Sequence, residues 1–153
     1  MGKIAIDSTP LSLTRAGIGY YAFELCQNLP ACDLENRYFL FTHNKDTLVE
    51  FNFPENVEVI EIKSKKPGLL WITRSALWAR KHKVNFLISP SNLIFSVLFP
   101  KTLQVIHDLT PITHPEFFTF KSRMLFKILS FLAVRFSKAI ITVSETSRKE
   151  IIR

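Results

Sequence analysis

The stretch Thr102–Thr113, T-L-Q-V-I-H-D-L-T-P-I-T, joins an apolar run to a pair of titratable side chains. Residues 103–106 include leucine, valine and isoleucine, which favour a β-strand. Pro111 and the threonines around it are typical of a loop. The pattern therefore predicts that His107 and Asp108 lie at the carboxyl end of a strand, the edge where open α/β sheets bind ligands.

Segments with strand composition alternate with segments of helical periodicity along the whole chain. The other predicted strands are Lys3–Asp7, Arg37–Thr42, Val57–Ile62, Val84–Ile88 and Ala139–Val143. The predicted helices run from Tyr20 to a stop at Pro30, over Leu69–Lys81, over Phe118–Lys138, and over Glu145–Arg153 with Ser144 as the N-cap. The alternation predicts an α/β fold, a Rossmann-like three-layer α/β/α arrangement with a mostly parallel sheet.

Size and charge limit the possible classes of protein. The 153 residues correspond to one domain, 1–153, and 47% hydrophobic residues are enough for a buried core. The net charge of +7 favours anionic partners such as nucleotide phosphates, anionic lipids or nucleic acid. We expect no nucleic-acid partner, because RNP, helix-turn-helix and zinc-finger patterns are missing.

The cysteines and the apolar segments indicate the compartment. Cys26 and Cys32 have neither a CxxC nor a zinc spacing, so we expect ordinary thiols. The N-terminus does not read as a signal peptide. The longest apolar stretch, Met124–Phe136, contains Lys127 and Arg135 and is shorter than the roughly 20 residues that span a bilayer. These features predict a cytoplasmic protein, at most peripheral to the inner face of a membrane.

The segment Arg15–Gly19, R-A-G-I-G, lies between the first predicted strand and the first predicted helix. Glycine permits close backbone approach, and a helix N-terminus offers free N–H groups to a phosphate or a sugar hydroxyl. The full G-x-G-x-x-G pattern is absent, and Ala22 satisfies only the looser form. A tight turn without a ligand explains the segment equally well.

His107 and Asp108 also allow two interpretations. The imidazole can bond a substrate hydroxyl or act as acid or base, and the carboxylate can orient it or take a proton. Neighbouring residues of a strand point to opposite faces, so a direct dyad requires the loop to begin at 107. A purely structural histidine remains the alternative.

A set of cations forms a third feature. It comprises Lys63, Lys65, Lys66, Arg74, Arg80, Lys81, Lys83 and the lysines and arginines of residues 121–138. A solvated surface is one explanation, and docking to an anionic membrane is the other. Motifs for a metal-bound nucleotide, a P-loop, a serine nucleophile elbow or a zinc protease are missing.

Four segments are more informative together than alone. They are I-A-I-D with R-A-G-I-G-Y-Y-A-F-E-L, L-I-S-P-S-N-L, V-I-H-D-L-T-P-I-T-H-P-E-F-F, and K-A-I-I-T-V-S-E-T-S-R-K-E-I, in this order along nearly all of the chain. In this combination the sequence resembles the N-terminal, acceptor-side domain of family 4 retaining glycosyltransferases of the GT-B fold. The resemblance implies one half of an enzyme whose active site lies between two Rossmann-like domains.

The resemblance also implies roles for individual residues. His107 is expected to contact the donor sugar or the reacting centre with Asp108 beside it, so both are candidate catalytic residues. The expected substrate-binding residues are Arg15, Gly17, Gly19, Ser144 and Glu145. No metal or other cofactor is expected, because members of the family use the nucleotide sugar as co-substrate without a metal.

The donor-binding part of such an enzyme is not recognisable in this sequence. The E-x7-E pair of the family belongs to its C-terminal domain, and Glu50 and Glu58 match only the spacing, with Pro54 between them. We therefore expect the chain to be inactive alone and to need a C-terminal donor-binding domain or a separate chain.

The complete enzyme would pass a hexose, with mannose from a GDP-sugar as one candidate, to a cell-envelope saccharide or lipid-linked acceptor. The alternative is a non-enzymatic Rossmann-like binding module that docks on a membrane or a partner protein. A third hypothesis, a nucleotide-binding domain acting alone, predicts tight binding of free nucleotide.

Overall fold

A computed structural model describes residues 1–12 and 17–152 of the chain. Six strands form one sheet within these residues: β1 (Lys3–Asp7), β2 (Arg37–Thr42), β3 (Val57–Glu61), β4 (Phe86–Ser89), β5 (Thr102–Ile106) and β6 (Ala139–Thr142). Their order is β3-β2-β1-β4-β5-β6, and every neighbouring pair is parallel. The predicted Rossmann-like α/β fold is confirmed, with a sheet that is wholly parallel in the described part of the chain.

Helices connect these strands and cover both faces of the sheet. They are α1 (Ile18–Cys32), α2 (Leu69–Lys81), α3 (Phe95–Leu98), α4 (Thr110–Thr113), α5 (Phe120–Phe136) and α6 (Glu145–Ile152), with 3-10 turns at Thr9–Ser12, Lys45–Leu48 and Pro115–Phe117. No helix among the described residues is both long enough and apolar enough to cross a membrane.

Two hydrophobic cores lie on opposite sides of the sheet. Phe39 and Phe41 of β2 enter one core with Trp71 of α2. Tyr38 and Leu40, the alternate residues of the same strand, enter the other core, which α1 covers. This alternation is the period of two that a strand imposes, and it explains why β2 reads as a continuous apolar run.

The prediction that Pro30 ends the first helix is wrong. Helix α1 continues through Pro30 to Cys32. The Nδ2 amide of Asn56 donates to the carbonyl oxygens of Pro30, at 3.0 Å, and Asp33, at 2.9 Å. These bonds satisfy carbonyls at the end of a helix that proline weakens.

The region after His107 is also more ordered than the loop that the sequence predicts, because it contains α4. The Oδ1 oxygen of Asp108 accepts a hydrogen bond from the backbone N–H of Thr110 at 2.8 Å. Pro111 follows in the first turn of α4, where a helix does not use its missing N–H.

The order of the strands places a crevice between β1 and β4. From β1 the chain builds outward through β2 to β3, then returns to β4 on the other side of β1 and continues outward to β6. The strand order reverses at this point, and open α/β sheets bind ligands outside the carboxyl ends of the strands that flank such a reversal.

Candidate functional site

His107 is the first residue after β5, so its side chain is held by loop contacts and not by the strand. Its Nε2 lies 2.9 Å from the carbonyl oxygen of Pro90, and because a carbonyl only accepts, Nε2 carries the proton. The ring of Tyr21 meets the imidazole edge to face at 5.1 Å. The remaining nitrogen, Nδ1, has no hydrogen-bond partner in residues 1–12 and 17–152. The imidazole is therefore oriented by the loop after β4 and keeps one acceptor nitrogen.

The backbone of His107 is fixed from the other side by the start of α6. The Ser147 hydroxyl donates to the carbonyl oxygen of His107 at 2.8 Å. The Ser144 hydroxyl accepts the backbone N–H of Ser147 at 3.1 Å and lies 3.0 Å from the Ser147 hydroxyl. Ser144 is thus the N-cap that the sequence predicts, and Ser147 links this cap to the candidate catalytic residue.

Asp108 does not form a dyad with His107. The loop begins at residue 107, as a dyad requires, but the imidazole bonds to Pro90 and the carboxylate bonds to the backbone of Thr110. Asp108 is exposed, and its second carboxylate oxygen is available to solvent or to a ligand. Its observed role is an Asx turn that starts α4.

His107 and Asp108 line one cavity of about 410 Å³ at the carboxyl edge of the sheet. The other lining residues are Ile18, Ser91, Leu93, Val105, Ile106, Thr110, Pro111, Phe118 and Phe126. The wall is mostly apolar with a few polar groups, and the volume is within the range of small-molecule sites. An arrangement of this kind suits a small ligand with an apolar face that a few polar groups orient.

The N-terminus of α1 lies beside this cavity, because Ile18, the first residue of the helix, is part of its wall. Gly17 is the N-cap and has a φ of +46°, which strains any residue with a side chain. No side chain of residues 1–12 and 17–152 caps this end of the helix, and the first N–H groups of an α-helix have no partner within the helix itself. Gly19 is buried within α1, and Arg15 lies outside the described residues.

The remaining predicted site residues, Ser144 and Glu145, do not line the cavity. Ser144 reaches His107 only through Ser147. The Glu145 carboxylate accepts from Arg148 at 2.8 Å in an exposed ion pair. The structure therefore brings His107, Asp108 and the start of α1 together and leaves Glu145 in solvent.

The sequence reasoning missed a polar cluster at the crevice between β1 and β4. Asp7, the last residue of β1, is fully buried. Its Oδ1 accepts from the N–H of Thr9 at 3.0 Å and from the Thr9 hydroxyl at 2.6 Å, and its Oδ2 accepts from Asn92 Nδ2 at 2.5 Å. Burial raises the pKa of Asp7, and these donors offset part of that rise. Polar residues after two predicted strands, D-S-T and S-P-S-N, were the available signal.

No group of three or more His, Cys, Asp or Glu residues in the described part of the chain has an arrangement that could hold a metal ion.

The similarity of this chain to known proteins is limited to solved structures. No protein-family model matches the sequence, and no curated protein matches it. Among solved structures, that of Anabaena HepE in complex with UDP and glucose matches with a TM-score of 0.56 and 18% sequence identity. The match covers 99% of this chain and 40% of the HepE chain, so this chain spans less than half the length of that protein. The similarity is one of fold.

Proposed function

We propose that this chain is the acceptor-side domain of a glycosyltransferase of the GT-B fold. The observation that carries the proposal is His107, held at the carboxyl end of β5 in a cavity whose wall includes the first residue of α1. The shared fold with HepE supports it, because UDP and glucose are the two parts of a nucleotide sugar. The resemblance of the sequence to family 4 retaining enzymes supports the same class.

The residues of the cavity suggest how such a domain contributes to transfer. The Nδ1 of His107, which has no partner among the described residues, can accept a hydrogen bond from a sugar hydroxyl and so orient the ring that reacts. The N-terminus of α1, which no described side chain caps, can stabilise negative charge on a diphosphate as it leaves. Transfer then depends on electrostatic stabilisation of the leaving group and not on a protein nucleophile.

The finer assignments are proposals of the same kind. The donor is a nucleotide sugar used without a metal or other cofactor, and the transferred group is a hexose, with mannose as one candidate. The acceptor is a saccharide or lipid-linked molecule of the cell envelope, which places the enzyme in the cytoplasm or on the inner face of the membrane. A C-terminal domain or a separate chain supplies the donor site.

Reconstitution tests the proposal. We expect that mixing the chain with a GT-B donor-binding domain gives nucleotide release from a GDP- or UDP-sugar, and that His107→Ala lowers the rate by roughly 10²-fold or more. Tyr21→Phe is the matched control, because it keeps the ring against His107 and removes only a hydroxyl. If no donor domain and no sugar nucleotide gave turnover, that result would count against an enzymatic function.

One observation favours the second candidate, a non-enzymatic module that docks on a membrane. Helix α5 carries only basic charges, and large apolar side chains on it are exposed, with Phe120 at 73% and Phe131 at 69%. Apolar and cationic side chains on one surface are typical of helices that bind anionic lipid. Flotation with phosphatidylglycerol vesicles tests this, and we expect Phe120→Ser with Phe131→Ser to abolish binding. If neutral vesicles were bound as strongly as phosphatidylglycerol vesicles, an anionic membrane partner would be contradicted.

A further inference from the structure

A basic groove adjoins the His107 cavity along the same edge of the sheet. One part, of about 300 Å³, has a lining that includes His43, Lys65, Lys66, Ser91 and Asn92. A second part, of about 500 Å³, is lined by His43, Asn44, Lys63, Ser64 and Lys65. His43 and Lys65 belong to both parts, and Ser91 also lines the His107 cavity, so the three depressions are neighbours.

The groups that line this groove are suited to an anion. Three lysines come from the turn between β3 and α2, and no carboxylate is among the described residues that line either part. None of the three lysines forms an ion pair with a described residue. The turn that carries them is held by hydrogen bonds to the Lys66 carbonyl from the Ser64 hydroxyl, at 2.8 Å, and the Gly68 N–H, at 2.8 Å. Their positive charges therefore face the groove without a counter-charge of their own.

His43 also belongs to the groove. It follows β2 directly and lines both parts, as Lys65 does. Its Nδ1 is enclosed by the protein and has no hydrogen-bond partner in the described part of the chain. Asn92 lines the same groove with its amide held by Asp7, which fixes its orientation.

We propose that this groove binds a phosphate group of the acceptor while the acceptor hydroxyl lies near His107. The proposal rests on the proposed function and adds the chemical class of the acceptor, a phosphorylated saccharide or a lipid phosphate. Lysine ammonium groups bind phosphate as point charges and do not require one fixed geometry, which fits a ligand that continues into the next cavity. The groove would then select acceptors by charge, and the His107 cavity would select them by shape.

Binding of phosphate without any nucleotide sugar tests the groove by itself. Inorganic pyrophosphate is titrated into the wild-type chain, into Lys65→Ser with Lys66→Ser, and into Lys81→Ser with Lys149→Ser. The last variant removes the same charge from exposed positions of α2 and α6. We expect saturable binding to the wild type, a loss of at least roughly tenfold in the first variant, and a change within about twofold in the control. Thermal unfolding verifies that both variants fold, as substitutions of exposed lysines should allow.

Vesicles identify the source of the phosphate. Phosphatidic acid in phosphatidylcholine vesicles presents a lipid phosphate, and phosphatidylcholine alone is the blank. Vesicle binding that needs Lys65 and Lys66 but not Lys81 and Lys149 supports the proposal with a lipid phosphate. Binding of pyrophosphate alone supports it with a soluble phosphate. Equal losses in the two variants, or no binding of either probe by the wild type, overturn the proposal. Transfer activity in a reconstituted enzyme without phosphate binding would leave the proposed function standing and refute only this step.

Discussion

The ionisation of Asp7 makes the free energy of unfolding depend on pH. Its carboxyl is fully buried at the end of β1, and burial raises its pKa above the ordinary value. The folded protein therefore holds this proton to a higher pH than the unfolded chain does. The free energy of unfolding therefore falls as pH rises from the Asp7 pKa of the unfolded chain to the raised Asp7 pKa of the folded protein. At pH values below both pKa values, Asp7 has no such effect.

Replacing Asp7 with asparagine should remove this dependence. The stability of Asp7→Asn relative to the wild type should rise between pH 4 and pH 7, by about 1.4 kcal/mol for each unit that separates the two pKa values. Urea unfolding at several pH values measures it. Asp33→Asn is the control: hydrogen bonds from Asn36 and then Tyr38 lower the Asp33 pKa, so its stabilising effect is lost only below its ordinary pKa. A constant difference between wild type and Asp7→Asn would contradict the expected ionisation.

Ser147 is the residue that fixes the backbone of His107. Its hydroxyl is buried and bonds to the His107 carbonyl at 2.8 Å and to the Ser144 hydroxyl at 3.0 Å. We expect Ser147→Ala to lower the free energy of unfolding by about 1–2 kcal/mol, because a partly buried carbonyl loses its donor. Thr146→Ala, one position earlier and exposed, should stay within about 0.5 kcal/mol. Equal unfolding midpoints in denaturant for the two variants would show that the hydrogen bond from Ser147 to the His107 carbonyl does not stabilise the protein.

At the scale of elements, the end of α1 depends on a side chain from another connection. Asn56 precedes β3, and its two amide N–H groups are shared among three carbonyl oxygens, those of Pro30, Asp33 and Asn36. It thereby joins the last turn of α1 to the starts of β2 and β3. Local sequence alone would end this helix at its proline.

Substitution of Asn56 by aspartate tests this connection with almost no change of side-chain volume. Asn56→Asp replaces a donor by a carboxylate that faces carbonyl oxygens, so it should destabilise the protein by about 3 kcal/mol or more, and Asn56→Ala by about 1–3 kcal/mol. Asn52→Asp, at an exposed position of the same connection, is the control. Denaturant unfolding gives the order of the variants. An aspartate variant as stable as the alanine variant would argue against the three bonds.

The elements that could be predicted are those whose signal is local. The strands β1 and β2 and helix α2 begin and end where composition and periodicity place them. Helix α4 was missed because it depends on one Asx turn, and the continuation of α1 past Pro30 was missed because its bonds come from Asn56, 26 positions away in sequence. His107 was found because a strand end is a local feature.

The same distinction applies to the site as a whole. Gly17 and Ser144 were recognised from local patterns of helix starts. The cluster of Asp7 with Asn92 joins residues 85 positions apart, and the bond between Ser147 and His107 joins residues 40 positions apart. Contacts between residues so far apart in sequence can be predicted only when the order of the strands is known. Composition does not give that order.

At the scale of the whole molecule, the sheet has a hydrophobic core on each face, and the candidate site lies at its carboxyl edge. A nucleotide needs a site that encloses its base and ribose as well as its phosphates. The His107 cavity is small and mostly apolar, and the basic groove beside it is open to solvent. In the proposed enzyme the base and ribose are held by the donor-binding domain.

We therefore expect the chain to bind free UDP and GDP weakly, with a Kd of about 1 mM or higher. The binding free energy is then no more favourable than about −4 kcal/mol. Isothermal titration measures this directly, and pyrophosphate serves as the comparison because it lacks the base and ribose. Similar affinities for UDP and pyrophosphate would mean that only the phosphates are bound. Saturable binding of UDP at micromolar concentration by the chain alone would place the nucleotide site in this domain and favour a nucleotide-binding domain that acts by itself.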